Sequence, residues 1–135
     1  MIDPSNAILN SVYRVLKDQL VYKNKTYPVY TSPEGDYDFI ALSGVESLDD
    51  STDTWDGNEC AFTLDIITKG REWKPADSIS SQILNLLINK ELLIEGFKLT
   101  VCPMLDSINP FIEKKETELI FRKVIRIILK LKENG

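Results

Sequence analysis

The chain has 135 residues, 43% hydrophobic and 27% charged, with a formal net charge of −5 and no histidine. That size and mixture suit one soluble domain with a single core, and no apolar run reaches the roughly 20 residues of a membrane span. Without histidine the commonest general base and metal ligand are missing, and two distant cysteines cannot form a structural zinc site, so no cofactor or metal is expected.

The first residues, Met1-Ile2-Asp3-Pro4-Ser5-Asn6, lack the basic start and apolar core of a signal peptide, and secretion by that route is not expected. Asp3-Pro4 has the form of a helix start, with Asp3 as N-cap and Pro4 where a missing N–H costs nothing. Ile8, Leu9, Val12, Val15 and Leu16 then recur at helical spacing, which predicts a helix over residues 4–19. Lys23-Asn24-Lys25 is a polar turn. Tyr27-Pro28-Val29-Tyr30 reads as a short strand, which Pro28 confines to a sheet edge or a strand start. Residues 32–36 form a turn, and residues 39–48 a second strand interrupted by Gly44 at a bulge. The polar run 49–57 is a loop or the tip of a long hairpin.

Residues 58–68 alternate cleanly. Cys60, Phe62, Leu64 and Ile66 fall on one face and Glu59, Thr63 and Asp65 on the other, the pattern of a half-buried strand. Lys69-Gly70-Arg71-Glu72 breaks the alternation, and Pro75 suits the first turn of a helix. Ile79, Ile83, Leu86, Leu87 and, further on, Leu93 then make an apolar stripe, with Asn89-Lys90-Glu91 ending the helix. Glu95-Gly96 is a turn, Phe97, Leu99 and Val101 alternate as a strand, and residues 106–110 read as a loop. Residues 118–132 place Leu119, Phe121, Ile125, Ile127, Leu129 and Leu131 on one parity and Arg122, Arg126, Lys130 and Lys132 on the other. That alternation and the β-branched content favour a long strand over a helix. Helices and strands with one greasy side each predict an α+β domain: a mostly antiparallel sheet of four to five strands with two helices packed on one face. Cys60 and Cys102, both in apolar strand-like runs, are expected to be buried and reduced, the alternative being a disulfide between neighbouring strands.

Charge is segregated along the chain. Residues 26–68 contain ten acidic residues and no Lys or Arg, whereas the last strand carries Arg122, Lys123, Arg126, Lys130 and Lys132. Such a division either keeps faces solvated or gives one subunit an acidic and a basic patch that could meet head to tail. The acidic run is not a calcium loop: counted from Asp49, Thr54 stands where glycine is required and Cys60 where glutamate is required. No phosphate-binding loop, nucleophile elbow or dinucleotide fingerprint is present. Net negative charge and the lack of aromatics interleaved in the basic strand argue against specific nucleic-acid binding. Trp55 in the acidic run and Trp73 before the second helix are candidate interface anchors, the alternative being that each packs on its own domain.

The order of elements, with Tyr27-Pro28, Leu64-Asp65-Ile66 followed by a basic turn and an amphipathic helix to Ile88, Gly96-Phe97-Lys98-Leu99 and Phe121-Arg122, resembles the tail terminator, or tail-completion, proteins of tailed bacteriophages. The resemblance implies a non-enzymatic virion protein that forms a ring, commonly a hexamer, at the head-proximal end of the tail or in the neck. It implies contacts with other copies, the tail tube and head-completion or other neck proteins, with no membrane partner. It places the protein in the virion and, during assembly, in the host cytoplasm. From charge and loop position, Asp49, Asp50, Asp53, Trp55 and Asp56 together with Arg122 and Arg126 are the expected contact residues. A monomeric binding module whose acidic loop captures a basic protein is the alternative from another class, and a carboxylate-based enzyme is a third.

Overall fold

The alternation after Asn58 becomes the central strand of a sheet with two faces of different character. The computed structural model describes residues 3–19, 26–27, 38–48 and 57–134. In chain order these form α1 (Ser5–Gln19), β1 (Thr26–Tyr27), β2 (Phe39–Ser47), β3 (Gly57–Gly70), α2 (Lys74–Leu87), β4 (Phe97–Leu99), β5 (Met104–Lys115) and β6 (Glu118–Glu133). The sheet has six strands in the order β1-β2-β3-β6, with β6 flanked on its outer side by both β4 and β5. All pairings are antiparallel except the two-residue β1–β2 contact. The fold is α+β, as the hydrophobic periods predict.

Helix α1 starts as its sequence implies. Asp3 Oδ1 accepts hydrogen bonds from the Ser5 N–H at 3.0 Å and the Ser5 Oγ–H at 2.6 Å. These two bonds stabilise the carboxylate and hold its pKa below the ordinary value. Ile8, Val12 and Leu16 of α1 and Ile79, Ile83 and Leu87 of α2 share one buried cluster with Ile40, Leu42, Phe62, Leu64, Ile66, Ile125, Ile127, Leu129 and Leu131 of the sheet. Both helices therefore cover the sheet face formed by the odd positions of β6 and the even positions of β3. Burying a side chain of this kind contributes roughly 1.5–3 kcal/mol.

The opposite face holds a smaller buried cluster of Phe39, Ala41, Ile67 and Ile120. Here the sequence reading needs correction at Asp65. Expected on a solvent-facing side, it is 5% exposed, because Ala41 and Val124 flank it in register and the apolar cluster lies beside it.

Gly44 marks the predicted bulge: the β2–β3 register shifts between Leu42 and Gly44, and Gly44 has φ +150°. A side chain rarely tolerates that backbone, although a Cβ there would meet nothing within 4 Å. Gly44→Ala should therefore cost about 1–2 kcal/mol by conformation alone, readable as a shift of the urea midpoint with unchanged slope.

Four further expectations are revised. Residues 106–110, read as a loop, lie inside β5, where Asp106 occupies a bulge between Leu105 and Ser107 and Pro110 sits in an edge strand that tolerates it. Leu93 is not part of the helix stripe: α2 ends at Leu87, and Leu93 is 93% exposed. β4 stops at Leu99, so Val101 lies beyond it. Cys60 is buried, but Cys102 is exposed, and neither is in a disulfide.

Candidate functional site

The central strand β6 brings its arginines to the face away from the helices, with acidic residues on the strands to either side. Arg122 is opposite Ile67 on β3 and Phe111 on β5, and its side chain reaches diagonally to both neighbours. Its Nη2 donates to Asp65 Oδ2 at 2.9 Å and its Nη1 to Glu113 Oε1 at 2.8 Å. Asp65 is 7% exposed at the side chain, against 53% for Glu113, so the Arg122–Asp65 pair is the buried half of this triad.

Four residues along β6, about 13 Å at strand rise, Arg126 repeats the arrangement. Its Nη1 donates to Asp106 Oδ2 at 2.8 Å, and its Nη2 lies 3.6 Å from Glu46 Oε1 on β2. The contact with Glu46 crosses β3 at Thr63, the residue in register with both Arg126 and Gly44. The bulge at Asp106 turns that side chain toward the guanidinium. Together the triads tie β5 to the sheet interior through β6. Lys69 and Glu118 add an ion pair of 2.6 Å near the β5–β6 turn.

The structure thus brings Arg122 and Arg126 onto one sheet face, already paired with carboxylates of their own chain. Asp49, Asp50, Asp53, Trp55 and Asp56, the other expected contact residues, lie outside the described residues. Trp73 folds back on its own domain. It is half-buried, with its ring centroid 4.9 Å from that of Phe121 at an interplanar angle of 69°. Lys123 lies 6.0 Å from the Trp73 ring centroid and pairs with Asp77 at the start of α2. This edge-on aromatic contact anchors the α2 N-terminus to β6.

Sequence reasoning missed the strand β5 itself. Met104, Leu105, Phe111 and Ile112 are 40%, 42%, 50% and 56% exposed along a twelve-residue edge strand. The signal available was a hairpin: β5 and β6 are joined by the two residues Glu116-Thr117, with Lys115 paired to Glu118. Glu116 has φ 56°, a conformation usually taken by Asn or Gly, so the turn chemistry gave no warning. Elsewhere an open cleft of about 520 Å³ lies between α1 and residues 91–99, with Asn10, Arg14, Glu91 and Lys98 on its walls. Among the described residues no helix is long and apolar enough to cross a membrane, and no cluster of three or more His, Cys, Asp or Glu side chains could hold a metal ion.

The fold defined by these elements, two helices on one face of a mostly antiparallel sheet with a long edge hairpin, is that of a known virion component. The structure superposes on a chain of the "Virion of native gene transfer agent (GTA) particle" with a TM-score of 0.73 and 18% sequence identity, over 93% of this chain and 96% of that one. No protein-family model matches the sequence. No curated protein matches it either.

Proposed function

We propose that this chain is a structural protein of a phage-like virion, a ring-forming subunit at the head-proximal end of the tail or in the neck, where it ends the tail and joins it to the head. The observation that carries the reading is the near-complete fold match to a chain of a gene transfer agent virion, which spans both chains almost end to end. The sequence resemblance to tail terminators, centred on Leu64-Asp65-Ile66 and the closing strand from Phe121-Arg122, supports it independently. In this reading the protein acts by docking rather than catalysis. Its partners are further copies of itself, most simply six in a ring, the tail tube, and head-completion or other neck proteins. It resides in the virion after assembly in the host cytoplasm.

Charge segregation supplies a means of assembly, with the acidic stretch containing Asp49, Asp50, Asp53, Trp55 and Asp56 drawn to the basic β6 side of the next copy. Arg122 and Arg126 would then serve twice, holding β5 in place and presenting partly exposed guanidiniums to a neighbour. Light scattering across a concentration series at low and high salt, with negative-stain images, tests this directly. A closed ring that weakens as salt rises is the expected result, because exposed charges are screened beyond about 8–10 Å at physiological ionic strength. Arg126→Gln should lower ring stability while leaving most of the fold intact. It is a cleaner variant than Arg126→Glu, which would set a third carboxylate beside Asp106 and Glu46. A chain that stays monomeric even on isolated tails would instead favour a monomeric module that captures a basic protein.

A further inference from the structure

We infer that subunits join by continuing the sheet: the β5 edge of one copy lies antiparallel beside the β2 edge of the next. The inference rests on the ring reading above and names the surfaces that make the contact. Four observations support it.

The first is the character of β5. An edge strand presents unpaired backbone N–H and C=O groups, and a long one with apolar side chains is a template for another strand. β5 is such an edge for twelve residues, with Met104 and Phe111 exposed on one sheet face and Leu105 and Ile112 on the other. A strand laid alongside would shield both faces at once. The second is the state of the opposite edge. β1 pairs only with Ile40 and Ala41, so among the described residues the outer edge of β2 from Ser43 to Ser47 has no strand beside it. The third is direction. β2, β3, β6 and β5 alternate, so a neighbour placed by rotation about a ring axis brings β5 antiparallel to β2. Such a contact uses two different surfaces, so it builds a ring where the rotation closes and never a two-fold dimer.

The fourth is charge. The segment bearing β2 lies within the stretch of ten acidic residues with no Lys or Arg, and Glu46 is 68% exposed at the side chain. The β5–β6 hairpin has an excess of basic residues, with Lys114 and Lys115 both exposed on β5. The bulge at Asp106 and Pro110 restrict which registers β5 can offer, which disfavours open-ended stacking while leaving one fit available.

Cysteine pairs test the arrangement. In a Cys102→Ser background, Asn109→Cys on β5 is combined with Ser43→Cys or Glu46→Cys on β2, positions on the sheet face away from the helices, and assembled protein is treated with a short thiol crosslinker. The expected result is a ladder of covalent oligomers ending at the ring number for the double variants, with neither single variant linking to itself. Lys115→Cys, on the same face, should favour Ser43→Cys over Glu46→Cys, as antiparallel order requires. Covalent dimers from Asn109→Cys alone would mean two-fold β5–β5 pairing and would overturn the inference. Rings that form but never crosslink overturn it too, while leaving the ring reading in place. Absence of rings at any concentration and on tails defeats both. As an independent readout, Leu105→Lys with Ile112→Lys changes only exposed side chains. It should leave the circular dichroism and melting temperature unchanged and weaken ring association by roughly tenfold or more. Unaltered association would count against the β5 edge.

Discussion

Asp65→Ala should destabilise the fold by about 3 kcal/mol, the range expected when one partner of a buried ion pair is removed and the other is left behind. Asp65 is 5% exposed, between Ala41 and Val124, and its loss takes from Arg122 the buried carboxylate of the pair while the exposed Glu113 stays. The loss should be recovered to within about 1 kcal/mol by combining Asp65→Leu with Arg122→Met, because that removes both charges and fills the space with apolar atoms. Urea unfolding with an unchanged slope would report both effects. If Asp65→Ala and the double replacement cost the same, the ion pair does not govern this face. The consequence for the proposed subunit contact lies in β5. Glu113 and Asp106 hold the hairpin edge to β6 through Arg122 and Arg126, so loss of the pair should loosen the edge and raise hydrogen exchange along β5 before the rest of the sheet opens.

Phe62→Ala should cost about 4 kcal/mol, the cavity and transfer loss typical of a buried aromatic. Phe62 is 1% exposed in the middle of β3, opposite Ile127 on β6 and Val45 on β2, within the cluster shared by both helices. A drop of that size takes a large share of the 5–15 kcal/mol that usually separates folded from unfolded domains. Thermal melting should therefore fall by more than ten degrees, on the order of 3 °C per kcal/mol for a domain near this size. The variant also serves as a control for assembly. It touches no exposed residue of β5, so any loss of rings should follow the unfolded fraction, whereas Leu105→Lys with Ile112→Lys should lower assembly at constant stability.

The likeness to a gene transfer agent virion chain concerns the fold, and the functional proposal adds sequence motifs and charge to it. A ring with altered β5 contacts would keep the function and change the interface. A monomer on every template would remove the function and leave the fold untouched.

Helices, long strands and the apolar stripes were legible in the sequence because local period decides them: 3.6 for Ile8, Val12 and Leu16, and two for Cys60, Phe62, Leu64 and Ile66. The same holds for the helix start at Asp3-Pro4 and the bulge at Gly44, where one residue's side-chain chemistry or backbone freedom sets the geometry. What depended on neighbours in space was not legible. Asp65 reads as a surface residue until Ala41, Val124 and Arg122 are placed around it. Asp106 and Pro110 read as a loop until β6 gives them a strand to pair with. Arg122 and Arg126 read as a bare basic face until carboxylates from β2, β3 and β5 arrive beside them. Periodicity is a property of the chain alone. Burial, charge compensation and edge position arise only when distant segments meet, and here they decided which strand lies along the outer edge of the sheet.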